Sequence, residues 1–174
     1  MKRLMSSAHV IAACSAALLA TACRDTLGDS AISPLPSTPP TAQLVITPAA
    51  PGDSVLTVDV RVSGLTGSSD AVKPVSMTAA VQYDTTRLRY LADASPSDGA
   101  MRAVHAARGR VMIAAAHATG FPGDVFARVR FVARDVSAGL SLSLQLSELH
   151  LSDATDVRGR TTVLPTALRT AVSQ

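Results

Sequence analysis

The sequence predicts an all-β protein, an antiparallel β-sandwich of about nine strands, and three observations predict it. Apolar residues alternate with polar ones in segment after segment, most clearly from Val75 to Tyr83, and period-two alternation is the signature of a strand with one buried face. Clusters of Gly, Pro, Asp and Ser separate those segments, which is turn chemistry. No segment carries a long uninterrupted helical period, and short alternating strands between turn signals are the pattern of a sandwich.

Taken in order, Gln43 to Thr47 is a short first strand, followed by a turn at Pro51-Gly52. Leu56, Val58, Val60 and Val62 alternate with Thr57, Asp59, Arg61 and Ser63 and make a half-buried strand. A Gly/Ser/Asp loop over residues 64–73 leads to the strand Val75 to Tyr83, a polar corner at Asp84-Thr85-Thr86, and a resumed pattern at Leu88, Tyr90 and Leu91. Met101 to His105 and Arg110 to His117 flank Ala107-Arg108-Gly109 and read as a hairpin. Val125, Ala127, Val129, Phe131 and Ala133 form one face of a strand whose other face carries Arg128 and Arg130. Leu140, Leu142, Leu144 and Leu146 hold one parity, and Leu149 and Leu151 hold the other. A parity change within one strand implies a bulge. Thr161 to Leu164 and Leu168 to Val172, around Pro165, fit an edge, because proline cannot donate to a central ladder.

Composition limits the function. Hydrophobic residues make up 47% of the 174, but aromatics only 3%, and tryptophan is absent. The expected core is therefore aliphatic, and flat stacking platforms for sugar rings or single-stranded nucleic acid are disfavoured. Arginines are scattered along the chain rather than interleaved with aromatics, which gives no nucleic-acid signature.

The N-terminus predicts export. Lys2 and Arg3 precede an uncharged, mostly apolar run from Met5 to Ala22, too short for a membrane span of about 20 apolar residues and shaped like a secretory signal. Leu19-Ala20-Thr21-Ala22-Cys23 resembles a bacterial lipobox, which implies that Cys23 is acylated and becomes the mature N-terminus. Residues 1–22 are then a lipoprotein signal peptide and 23–41 a Pro/Ser/Thr-rich tether, with Pro34, Pro36, Pro39 and Pro40 favouring extended backbone. Residues 42–174 are the folded domain. Losing Lys2 and Arg3 leaves 14 basic residues against 13 acidic ones, so the mature charge is near +1. Losing Cys14 leaves Cys23 alone and excludes an intramolecular disulfide. The expected location is the cell envelope, at the outer membrane or cell surface, through a lipid anchor.

No reaction chemistry is legible. The chain has no Gly-x-Ser-x-Gly elbow, phosphate loop or His-Glu-x-x-His motif, so an enzyme is not expected. Tyr83 falls on the buried parity with its hydroxyl directed to a backbone partner, and Asp84 is placed to close an Asx-turn. His105 falls opposite Met112 and too far from His117 to share a metal, and with His150 these are solvent-facing or rim residues. Asp153 and Asp156 share a loop with Gly159 but lack the alternating oxygen ligands of a calcium loop. No metal or cofactor is expected.

Four segments occur in an order known from one family: GDSVLTVDVRVSGL at Gly52 to Leu65, VQYDTTRLRYL at Val81 to Leu91, GDVFARVRF at Gly123 to Phe131, and LSLSLQLSELHLSDA at Leu140 to Ala154. The chain thereby resembles a cohesin-like domain of the carbohydrate-binding-module sandwich superfamily, over roughly Ala42 to Val172, although Thr85 stands where the family often has proline. The resemblance implies a jelly-roll/cohesin-like fold and a non-catalytic module that recognises or scaffolds a protein partner, a dockerin-like one among the candidates. Such a partner would lie across a flat sheet face, and Ser76, Thr78, Ala80 and Gln82 are the outward positions of its central strand. Polysaccharide binding and an envelope-structural role without a soluble ligand are the alternatives.

Overall fold

The computed structural model describes residues 38–48, 54–65, 73–134 and 140–168. Cys23, the signal and almost all of the tether lie outside them, as do residues 169–172 of the last predicted strand. Among the described residues ten strands follow in order: β1 (Thr41–Pro48), β2 (Val55–Ser63), β3 (Pro74–Tyr83), β4 (Leu88–Asp93), β5 (Met101–Ala107), β6 (Arg110–Ala116), β7 (Val125–Ala133), β8 (Leu142–Leu151), β9 (Thr162–Val163) and β10 (Ala167–Leu168). A 3-10 turn at Arg158–Arg160 precedes β9.

The strands form two sheets. One runs β10-β1-β2-β7-β4, with β9 also pairing with β1, and the other runs β5-β6-β3-β8. Pairing is antiparallel except where β9 and β10 join β1, which is parallel. The closing strands thus occupy an edge, as Pro165 requires, but they run alongside β1 instead of returning against it.

Alternation fixes what faces inward. Leu44, Ile46, Leu56, Val58, Val60, Val129 and Phe131 from one sheet meet Met77, Val81, Val111, Ile113, Leu149 and Leu151 from the other, all at most 2% exposed. Burying a side chain of this size contributes about 1.5 to 3 kcal/mol. The core is mostly aliphatic, yet Phe121, Phe126 and Phe131 are all buried within it. Phe131 takes Tyr83 and Tyr90 edge-on at 5.0 and 6.0 Å, and Phe121 lies 4.2 Å from Phe126.

Bulges account for the departures from strict alternation. The β3–β8 register shifts between Thr78, opposite Glu148, and Ala79, opposite Leu146, so Ser147 is the extra residue and both leucine sets reach the core. Between β2 and β7, Val60 pairs with Ala127 and Arg61 with Val125. Phe126 is therefore the extra residue there, and it is fully buried rather than on the polar face that simple alternation gives it. Leu91 occupies a third bulge and is 40% exposed.

The β5–β6 hairpin turns at Arg108-Gly109, where Gly109 has φ +75°. Asp59, on the outer face of the first sheet, is 5% exposed and held by Arg128 (Nε to Oδ1, 2.6 Å) and Arg61 (Nη2 to Oδ2, 3.1 Å). Burial alone would raise its pKa, but the two guanidiniums outweigh it and hold the carboxyl below its usual value.

Candidate functional site

β3 lies inside the four-stranded sheet, and its even-numbered residues Ser76, Thr78, Ala80 and Gln82 point away from the core, as their parity requires. The register extends these positions into rows across the sheet. Ser76 is flanked by Ala116 and His150, with Met101 beyond Ala116; Thr78 by Ala114 and Glu148, with Ala103 beyond Ala114. Ala80 is flanked by Met112 and Gln145, with His105 beyond Met112; Gln82 by Arg110 and Ser143.

Side-chain size shapes this face. Alanines at 103, 114 and 116 leave a shallow depression of about 360 Å³, bounded by Met101, Ser76, Thr78 and Glu148. Met101 is 76% and Met112 45% exposed, and the thioether side chain adapts readily to an opposing surface. Thr78 Oγ1 donates to Glu148 Oε2 at 3.1 Å, and Gln82 Nε2 donates to Gln145 Oε1 at 3.4 Å. These bonds hold both polar side chains down on the sheet.

Ser76, Thr78 and Gln82 therefore lie on an open surface, but Ala80 is 1% exposed. Its single methyl sits between the longer Met112 and Gln145 of the adjoining strands, so it sets the depth of the face and offers no contact area of its own. Met101, Ala103, Ala114, Met112 and Glu148 complete the surface and come from strands remote in sequence. Parity places the residues of the two hairpin arms on one face or the other, but which faces coincide depends on the β3–β6 and β3–β8 registers.

The other singled-out residues serve turns. Tyr83 Oη donates to the Ala107 carbonyl at 3.3 Å. Asp84 Oδ1 accepts from the Thr86 amide at 2.8 Å and the Thr86 hydroxyl at 2.7 Å, and these bonds lower its pKa. A carboxylate so held stays ionised and is spent on its own turn, which does not suit a proton donor. His117 Nε2 donates to the Asp98 carbonyl at 3.1 Å, and its Nδ1 accepts from the Thr119 amide at 3.2 Å, so the ring fastens two loops together. His105 is exposed beside Met112. Asp153 and Asp156 accept from the amides of Thr155 and Arg158, at 3.0 and 2.9 Å. Among the described residues no three His, Cys, Asp or Glu side chains gather as metal ligands would.

The sheet orders, the register and the shared aliphatic core define a two-sheet sandwich of the cohesin fold. The chain is similar to the sixth cohesin of scaffoldin B from Acetivibrio cellulolyticus, solved with a dockerin (20% identity, 75% of this chain and 99% of that one, TM-score 0.54). It is also similar to a type I cohesin from Clostridium thermocellum solved with a dockerin (14% identity, 75% and 99% coverage, TM-score 0.57). A non-cellulosomal cohesin from the archaeon Archaeoglobus fulgidus matches at 18% identity over 77% of this chain and 93% of that one, with a TM-score of 0.52. At these identities the likeness is one of fold. No family model and no curated protein matches the chain.

Proposed function

We propose that this chain is a non-catalytic protein-recognition module of the cell envelope, whose partner docks across the outer face of the β5-β6-β3-β8 sheet. The observation that carries this reading is the depression floored by Ala103, Ala114 and Ala116 beside the exposed Met101 and Met112. It is a wide, low-relief apolar surface, suited to a helix laid on it, with Glu148, Arg110 and Gln82 to fix orientation at its margins. Two of the similar cohesins were solved with dockerins, which supports a dockerin-like partner. Tyr83 and Tyr90 pack against Phe131 and do not rise from this face, so it offers no tyrosine or tryptophan ring on which a sugar could stack. Export, acylation at Cys23 and the tether of residues 23–41 would present the module away from the membrane, and fatty-acid labelling that is lost in Cys23→Ser tests the anchor.

The test of the face is saturable capture of a protein from extracts of the source cells by the immobilised full chain. Ala114→Arg fills the depression with a charged side chain and is expected to weaken capture at least tenfold while leaving the melting temperature within a few degrees. Capture unaffected by Ala114→Arg, or retention of the chain on insoluble polysaccharide, would overturn the proposal.

A further inference from the structure

The opposite face of the sandwich gathers arginines that the sequence keeps apart. Leu88 of β4 and Ala133 of β7 face the core at 1% and 4% exposure, and they pair with each other. Their neighbours Arg87 and Arg134 therefore face outward, and the Arg134 amide continues the ladder by donating to the Arg87 carbonyl at 2.8 Å. Two residues further on, Arg89 pairs with Val132, and past the Leu91 bulge Arg130 pairs with Ala92. Opposed residues on a sheet stand about 5 Å apart and alternate residues about 7 Å apart along a strand, so Arg130 and Arg134 lie about 13 Å apart with Arg89 between them.

Among the described residues, acidic side chains reach only one end of this group. Arg87 shares the Asp84 carboxylate at 3.7 Å, and Asp93, at the far end of β4, accepts from the Ser95 amide. Arg89, Arg130 and Arg134 are exposed and make no ion pair among the described residues. In the same sheet, Asp59 and Asp124 take up Arg61 and Arg128, so the uncompensated charge is confined to the β4–β7 edge. Half-buried Val132 and the exposed Leu91 lie within it. The basic residues of the mature chain are almost all arginine, with Lys73 the one lysine after the signal. Guanidinium groups bind phosphate through paired, parallel hydrogen bonds, and a row of them on a flat sheet matches a layer of phosphates better than it matches one small anion.

We infer that Arg89, Arg130 and Arg134 form a docking surface for the phosphate headgroups of an anionic phospholipid bilayer. Charge complementarity and flatness favour a bilayer as the occupant, a reading that rests on the envelope placement proposed above. With this face on the bilayer, the β5-β6-β3-β8 face on the other side of the core looks away from it. The patch thus orients the module on the bilayer.

The experiment uses the full chain carrying Cys23→Ser, so that an acyl chain contributes nothing, and compares vesicles of phosphatidylglycerol and phosphatidylcholine with vesicles of phosphatidylcholine alone. Each arginine near an anionic bilayer strengthens partitioning about fivefold, so binding to the anionic vesicles is expected to exceed binding to neutral ones by about a hundredfold. Raising the salt should remove the difference. The triple variant Arg89→Gln, Arg130→Gln, Arg134→Gln should bind both vesicles alike with an unchanged melting temperature. Equal binding of the parent chain to both vesicles, or a triple variant that retains the preference, overturns the inference. So does a soluble polyanion, dextran sulfate, held tightly by a chain that ignores anionic vesicles. None of these outcomes touches protein capture by the opposite face, and loss of capture in Ala114→Arg says nothing of vesicles.

Discussion

Arg102 is the side chain on which one end of the sandwich closes. It sits on edge strand β5, points inward, and is 6% exposed. Nε donates to the Phe126 carbonyl at 2.7 Å and Nη1 to the Pro96 carbonyl at 2.9 Å, while Nη1 and Nη2 grip the two oxygens of Asp98 at 2.7 and 2.6 Å. The guanidinium also lies 5.7 Å from the centre of Phe121, within cation–π range. An inward charge on an edge strand discourages pairing with another chain, and here every contact is also satisfied. Replacing it by methionine would strand Asp98 and two carbonyls. Arg102→Met is expected to cost about 3 kcal/mol, read from urea unfolding, and Arg102→Lys to recover only part of that because an ammonium cannot form the fork. The Arg102 hydrogen bonds hold the Asp98 carboxyl well below the usual carboxylate range. A depressed folded-state pKa contributes stability above the unfolded value of about 3.9 and loses it as the pH falls through the folded value. The melting temperature should therefore drop below about pH 4, and Asp98→Asn should flatten that limb. An unchanged slope in Asp98→Asn would sink this assignment.

At the scale of elements, two glycines fix how strands are joined. Gly109 turns the β5–β6 hairpin at φ +75°, and a Cβ there would sit 3.4 Å from the Tyr83 carbonyl oxygen. Gly120, which leads from β6 towards Phe121, has φ +90°, and its Cβ would run into Cβ of Lys73. The left-handed conformation alone costs an L-residue about 1 to 2 kcal/mol. Gly109→Ala should lose about that much, and Gly120→Ala more, because the clash involves the near end of the Lys73 side chain; thermal melts of the two in parallel check the order. Legibility in the sequence followed the same local logic. The parity change between Leu146 and Leu149 disclosed the Ser147 bulge, and Asp84 disclosed its Asx-turn, because both are written in neighbouring residues. The burial of Phe126 was not legible, because its bulge arises from how β7 meets β2 across a long stretch of chain. The direction of β9 and β10 depended likewise on the open edge of β1 that they join. Of the candidate site, the outward parity of Ser76, Thr78 and Gln82 was legible. The alanine floor, the closing of Ala80 and the clustering of Arg89 with Arg130 were not, since strand pairing creates them.

For the whole molecule, the two sheets stand back to back about 10 Å apart, and the outer face of each carries a different surface. The β5-β6-β3-β8 side presents alanine, methionine and a few bonded polar groups, whereas the β4–β7 edge of the other presents Arg89, Arg130 and Arg134, which make no ion pair among the described residues. Residues separated by the core and sharing no partner act additively, within about 0.5 kcal/mol. That independence would let one module be held at a surface and recognise a partner at once, as proposed above. Ala114→Arg should therefore leave vesicle binding within about twofold of the parent. The Arg89→Gln, Arg130→Gln, Arg134→Gln variant should capture protein as the parent does in solution. Both measurements belong on the same preparations, and the combined variant should show each loss at its single-face size. A coupling larger than about twofold in either direction would mean that one partner contacts both faces or that the sandwich shifts as a unit, and the two surfaces would then have to be understood as one.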